Sequence, residues 1–324
     1  MQPKFSVNIG KLKLKNPVMV ASGTFGYAEE FKDFVDLKNL GAIVTKTITI
    51  KPRPGNPLPR TCETPAGMLN SIGLENPGLE VFLEEKLPSL KRIGVPIIVS
   101  IASIDNTEEF TMLAKQLDKI REVAGMELNI SCPNIKVHSS EFIVHSRQLR
   151  AMSYELRTKL IAQDPRATYE VVKSVRKVTQ KTLITKLSPN VTDITEIAMA
   201  AARAGSDVVS LINTIPGMSI DIETRRPKIA TVTGGLSGPA IRPIAVRMVW
   251  EAYQKIKIPI IGMGGIMDVL SALEFFIAGA TAISVGTANF INPKASIEII
   301  AGLKKYLIKN KIKDIYALIG SLKI

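Results

Sequence analysis

Short apolar runs recur along the chain, separated by stretches in which hydrophobic positions follow a helical spacing. The runs are Pro17 to Ala21, Ala42 to Lys46, Pro96 to Ile101 and Glu127 to Ser131, then Thr182 to Leu187, Asp207 to Ile212, Pro259 to Gly262 and Thr281 to Val285. Near-continuous apolarity over so few residues suits strands buried on both faces. Between them, Phe110, Leu113, Leu117 and Ile120 share one helical face, and so do Val269, Leu270, Leu273, Phe276 and Ile277. Thr192 and Asp268 are the expected N-caps, with Gly205 and Gly279 as left-handed stops before the next strands. Strict β-α alternation repeated eight times, with no early Gly-x-Gly-x-x-Gly turn, predicts an α/β protein. A closed TIM-type (β/α)8 barrel fits that pattern better than a doubly wound sheet.

Length is compatible with this. A chain of 324 residues exceeds the usual single core but lies within the range of one-domain barrels, so one domain over residues 1–324 is expected. Two βα loops carry insertions. Residues 47–77 are rich in Pro and Gly, and residues 135–165 are more charged, with an extra helix expected from Gln148 to Ile161. Long ordered loops on such a scaffold are usually lids or binding surfaces. The alternating stretch from Lys11 to Lys15 reads as an edge strand protected by its lysines.

Composition narrows the chemistry. Hydrophobic residues make up 46% and charged residues 22%, which is ordinary globular usage. The net charge of +13 comes from basic residues scattered along the chain rather than gathered in a patch or tail. A dedicated nucleic-acid binder is therefore not expected. Cys62 and Cys132 are the two cysteines, too few for a disulfide framework or an iron–sulfur cluster. His138 and His145 are the two histidines, which leaves no metal site and no Ser-His-Asp chemistry to expect. With no signal segment and no apolar run of membrane-spanning length, a cytoplasmic location is expected.

In a barrel of this kind the active site lies at the C-terminal ends of the strands, so the polar residues closing each run are the candidates. In order they are Ser22, Lys46, Ser100, Asn129 with Cys132, Lys186, Asn213 with Thr214, Gly264 with Gly265, and Gly286 with Thr287. The glycine turns after the last two runs can present backbone N–H groups to a phosphate. A lysine projecting into a barrel mouth loses solvation unless an anion or electron-rich ring offsets the loss. Lone cysteines are mostly inert core residues. Cys132 differs by its place, after the fourth strand and before Pro133, where a partly ionised thiol can accept a proton. Asn70 to Leu74 offers an amide and a glycine turn able to clasp a small planar ring; the bland alternative is a turn serving only its own loop.

Taken together these pieces resemble the dihydroorotate dehydrogenases of pyrimidine biosynthesis over nearly the whole chain. The matching segments are Asn16 to Gly26, Thr45-Lys-Thr47, Asn70-Ser-Ile-Gly-Leu74, Asn129-Ile-Ser-Cys-Pro-Asn134, Lys186 to Asn190 and Ile212-Asn-Thr214. The run from Ile220 through Thr224-Arg-Arg-Pro227 to Ala240 is similar to the class 1B branch, and fumarate-using class 1A relatives are the nearest alternative. The resemblance implies an FMN held by Ser22, Lys46, Thr47, Asn129, Lys186, Ile212, Gly238, Gly264, Gly265, Gly286 and Thr287. Ser100 stands near the flavin where the family often has an asparagine. It implies a dihydroorotate site formed by Lys46, Asn70, Ser71, Ile72, Gly73, Leu74, Asn129, Asn213 and Thr214, with Asn134 added, and Cys132 as the base that makes orotate. It implies NAD as final acceptor, reached through a partner subunit carrying FAD and a [2Fe–2S] cluster, and a homodimer within a heterotetramer. Ser139 and Ser140 replace a Gly-Gly of the family pattern, and the second insertion is longer than usual. A tRNA dihydrouridine synthase-like flavoenzyme is the more distant alternative; its +13 charge would then serve RNA binding.

Overall fold

The structure is a computed structural model that describes residues 2–103, 107–131 and 160–324. Eight parallel strands close into a barrel in the order in which they occur along the chain. They are β1 (Val18–Val20), β2 (Ala42–Val44), β3 (Ile97–Ile101), β4 (Val123–Asn129), β5 (Thr182–Lys186), β6 (Val208–Leu211), β7 (Ile260–Gly262) and β8 (Ala282–Val285). Each coincides with one of the apolar runs, and the strand residues are buried almost throughout, as a sheet enclosed by helices requires.

Around them pack α1 (Leu87–Ile93), α2 (Glu108–Asp118), α3 (Pro165–Arg176), α4 (Ile194–Arg203), α5 (Arg242–Lys255), α6 (Val269–Ala278) and α7 (Ala295–Lys309). Phe110, Leu113 and Leu117 of α2 are fully buried, whereas Ile120 lies beyond the helix end and is half-buried. On α6, Leu273 and Phe276 face the core, with Val269 and Ile277 half-buried. Leu270 departs from the expected face: at 3.6 residues per turn it falls in the gap between Leu273 and Ala278, and it is 73% exposed. The cap of α4 is Asp193 rather than Thr192, its carboxylate accepting from Thr195 N at 2.8 Å. Asp268 caps α6 as expected, and Gly205 and Gly279 take φ of +103° and +123°. Between β1 and β2 the chain makes two 3₁₀ turns, Glu29–Phe31 and Leu37–Asn39, in place of the expected helix.

β4 begins four residues before its apolar run. Its first half contains Gly125, where a Cβ would come within 3.0 Å of Thr182 O, so the close approach of β5 favours glycine. The hairpin Val7–Ile9 with Leu12–Leu14 closes the N-terminal end of the barrel, where Lys11 N donates to Thr182 Oγ1. At the opposite end stands a four-stranded antiparallel sheet that the apolar pattern did not reveal. Its order is Ile215–Met218, Thr233–Ser237, Gly67–Asn70, Thr61–Thr64, so the first insertion is tied to the loop after β6. Of the second insertion, the expected helix from Gln148 to Ile161 lies outside the described residues except at its end, where Ile161–Gln163 is a 3₁₀ turn. Among the described residues no helix is long and apolar enough to cross a membrane.

The Asp268 cap gives a stability test. Its carboxylate accepts from Ser271 N at 2.8 Å and the Ser271 hydroxyl bonds back, and these hydrogen bonds hold the carboxyl below its ordinary pKa. A depressed carboxylate stabilises fully above its unfolded pKa and loses that contribution as pH falls through the folded one. Asp268→Ala is expected to cost about 1 kcal/mol at pH 7 in denaturant unfolding, and Asp268→Asn only a few tenths. The difference between Asp268 and Asp268→Asn should shrink as the medium is acidified below the usual carboxylate range.

Candidate active site

Side chains alternate along a strand, so closing the barrel sends every second residue inward. The registers align Ser100 with Glu127, Asn129 with Lys186, and Lys186 with Ser210 on that inward face. Lys186 and Asn129, each 5% exposed, are the last inward residues of their strands and therefore face the mouth. Above them, roofed by the antiparallel sheet, lies a cavity of about 540 Å³, within the range of small-molecule and cofactor sites.

The sequence had pointed to scattered residues, and the fold gathers them. Ser22, Lys46, Thr47, Asn129, Lys186, Ile212, Gly238, Gly264, Gly265, Gly286 and Thr287 all line this cavity. So do Asn70, Ser71, Ile72, Gly73, Leu74, Asn213 and Thr214. Ser100 does not. It is fully buried one layer below, bonded to Thr47 Oγ1 at 2.9 Å and to Glu127 Oε1 at 3.2 Å, because its register places it a full pleat beneath Asn129 and Lys186. Cys132 and Asn134 lie outside the described residues.

Lys186 Nζ reaches Ser22 Oγ at 3.4 Å, and among the described residues no carboxylate is within ion-pair distance of it. A buried ammonium in that state is a strong site for an anionic or electron-rich group. Lys46, at the rim, is 3.8 Å from Glu75, which is held more closely by Arg60 at 2.8 Å. Behind Lys46, whose N–H donates to Gly26 O, burial and then the Glu30 carboxylate push the Tyr27 phenol above its ordinary pKa, so it stays protonated. On the far wall the Ser284 hydroxyl is buried against the cavity with no partner among the described residues. Gly265 has φ +71°, and a Cβ there would meet Arg242 Cβ and Gly238 O at 2.8 Å, so the turn packs onto the start of α5 only as glycine. A Cβ on Gly286 would meet no clash, lying in ordinary contact 3.7 Å from Ala21 Cβ.

These features fit FMN. A buried ammonium with no carboxylate beside it and a hydroxyl with no partner, both among the described residues, suit the polar edge of a flavin ring, and two glycine turns at the ends of β7 and β8 suit its phosphate. Residues that sequence reasoning passed over also belong to the site. Ser237 bonds Thr287 Oγ1 at 2.8 Å from the roof sheet, and Asn190 bonds the Thr214 carbonyl at 3.4 Å. Asn190 sits in a segment already singled out. Ser237 lies in the run from Ile220 to Ala240, but its place at the site depends on a strand pairing across 169 residues, seen in its contact with the Met68 carbonyl.

Comparison with known proteins agrees with this geometry. The family model for dihydroorotate dehydrogenase matches residues 4–307. Among curated relatives, the "Dihydroorotate dehydrogenase B (NAD(+)), catalytic subunit" of Geotalea daltonii is 52% identical over 323 residues, covering 100% of this chain and 99% of that protein. The protein of the same name from Thermoanaerobacter pseudethanolicus is 52% identical over 318 residues, 98% of each chain. Among solved structures, the crystal structure of DHODH from Eimeria tenella in complex with ferulenol superposes with a TM-score of 0.76 at 23% identity, covering 98% of this chain and 88% of that one, a likeness of fold. By sequence over its full length, the chain belongs to the dihydroorotate dehydrogenase family.

Proposed function

We propose that this chain is the catalytic subunit of an NAD-linked dihydroorotate dehydrogenase, oxidising dihydroorotate to orotate in pyrimidine biosynthesis. Two observations support the reading: relatives of that name align end to end at about half identity, and the expected site residues other than Ser100, Cys132 and Asn134 line one cavity.

In this reading Lys186, Ser22, Thr47 and Ser284 hold the ring of FMN, with Gly238, Gly264, Gly265, Gly286 and Thr287 at its phosphate. When bound, FMN supplies the acceptor for the C6 hydride. The protein's own task is to bind, orient and deprotonate. Asn129 and Asn213 face the substrate ring from the strand ends, the loop from Asn70 to Leu74 closes over it, Thr214 and Asn134 complete the contacts, and Lys46 answers the substrate carboxylate. Cys132 takes the C5 proton. A free cysteine thiol has a pKa of about 8.5, far below that of a serine hydroxyl, which suits cysteine to the role of base. The antiparallel roof keeps bulk water from the ring, which strengthens each of these polar contacts.

Onward transfer to NAD requires a second protein, since two cysteines cannot ligate an iron–sulfur cluster here. The relatives' designation as catalytic subunits supports a partner, in this reading an iron–sulfur flavoprotein with FAD and [2Fe–2S], around a homodimer of this chain. Met218, Ile220, Ile222 and Val232, all exposed along the roof strands and the turn beside them, supply apolar surface for such contacts.

Three outcomes are expected. The purified protein is yellow, and anaerobic dihydroorotate bleaches it; fumarate does not restore the colour at a catalytic rate, and NAD does so only with the partner present. Cys132→Ser slows bleaching by at least about 10²-fold at pH 7, the usual scale for a lost general base, and its rate climbs with pH beyond the point where the wild type levels off. Lys186→Met lowers FMN affinity by roughly 10- to 100-fold, the worth of a hydrogen bond to a charged group, read as flavin content after dialysis.

A further inference from the structure

Below the cavity the polar side chains form a single file. Asn213 Nδ2 donates to Ser131 Oγ at 2.8 Å, Ser131 Oγ to Asn129 Oδ1 at 3.1 Å, and Asn129 Nδ2 to Thr47 Oγ1 at 3.1 Å. The Thr47 and Ser100 hydroxyls are 2.9 Å apart, and Ser100 Oγ donates to Glu127 Oε1 at 3.2 Å. Glu127 is 1% exposed, and its Oε2 accepts from Ser210 Oγ at 3.1 Å, from the side. Geometry alone leaves the direction of the Thr47–Ser100 bond open, but the neighbours decide it. A hydroxyl has one proton. Ser100 gives its proton to Glu127, so Thr47 must donate to Ser100, which leaves Thr47 free to accept from Asn129.

Every bond in the file then points the same way, from Asn213 at the mouth to a carboxylate that can only accept. That polarity has a chemical consequence. An amide turned by 180° exchanges donor for acceptor, so the orientation of Asn129 and Asn213 decides what they offer a ligand. Asn213 is tied at both ends, its Oδ1 accepting from Thr214 N at 2.8 Å, which leaves one N–H and one lone pair. Asn129 has its Oδ1 toward Ser131 and its Nδ2 toward Thr47, leaving one N–H and one lone pair.

We propose that Glu127 is a positioning residue: through Ser100 and Thr47 it fixes the donor and acceptor faces that Asn129 and Asn213 present, and so sets the affinity for an orotate-like ring. The inference rests on the reading above that these two asparagines touch the substrate. What Glu127 must supply is an acceptor for the Ser100 proton, not specifically a negative charge. Without it Ser100 is free to turn and donate to Thr47, whose own proton then turns toward Asn129 or the cavity, so the file no longer dictates what meets Asn129 Nδ2.

The test is orotate binding to the flavin-loaded protein, read by the shift in flavin absorbance and independently by calorimetry, so that turnover is not needed. Glu127→Leu and Ser100→Ala, each reconstituted to full flavin occupancy, are expected to weaken orotate binding about tenfold, the order of one lost hydrogen bond. Glu127→Gln restores it, since the amide oxygen can face Ser100 while its N–H₂ faces Ser210. The double variant Glu127→Leu/Ser100→Ala is no worse than either single one, because the file is broken only once. Ser210→Ala, which is outside the file, stays within twofold of wild type; the contrast between it and Ser100→Ala decides the matter even if Glu127→Leu does not fold. Additive losses, an effect of Ser210→Ala as large as that of Ser100→Ala, or no effect in any variant overturns the inference. Failure of the wild type itself to bind orotate overturns the functional reading, and this proposal with it.

Discussion

A lysine ammonium enclosed at the mouth of a closed barrel governs the rest of the site. Lys186 is carried inward by the pleat of β5, is almost fully buried, and reaches only as far as a serine hydroxyl among the described residues. A charge withdrawn from water costs several kcal/mol unless something returns it. The protein has kept every described carboxylate beyond ion-pair distance of it, so the compensation is left for a ligand. Glu127, the carboxylate inside the barrel, is instead satisfied by two serines one layer lower. The two charges are thus held on one inward face but used differently, one offered to the cavity and one spent on ordering the groups beneath it.

That layering explains why so much of the site could be read from the sequence. Strands buried on both faces leave apolar runs, and the residue that ends each run must lie at the mouth; Lys46, Asn129, Lys186, Gly264 and Gly286 were found by that rule alone. The same rule misplaced Ser100. It is polar and sits within the last two residues of β3, but its layer is set by register against Glu127, and register is a property of neighbouring strands that no single strand displays. Gly125 hid the first half of β4 for a related reason, since the contact that favours glycine comes from β5.

The roof was the least legible part. Thr61–Thr64 is short and polar, and Gly67–Asn70 holds only Met68 and Leu69 as apolar residues, side by side, so neither shows the hydrophobic alternation of a packed strand. Gly67–Asn70 pairs with Thr233–Ser237, a partner far along the chain, and Thr61–Thr64 pairs with Gly67–Asn70 as the edge strand. What the sequence showed there was only an unusually long loop rich in Pro and Gly, with Asn70 in a turn. The structure shows that Asn70 is fixed by its strand, its amide donating to Gly235 O at 3.3 Å, so the first inserted loop is tied to the loop after β6. Local cues also missed by one residue where two capping side chains compete, as at Thr192 and Asp193, because only the geometry of the first turn decides which oxygen reaches the free N–H.

The most direct test of this account is a crystal structure of the protein with FMN and orotate. The account predicts the pyrimidine edge of the flavin against Lys186 Nζ and the Ser284 hydroxyl, the phosphate at the turns of Gly264–Gly265 and Gly286–Thr287, and orotate between Asn129 and Asn213 under the Asn70 loop. Flavin bound elsewhere, or Lys186 paired with a protein carboxylate in the liganded state, would contradict it.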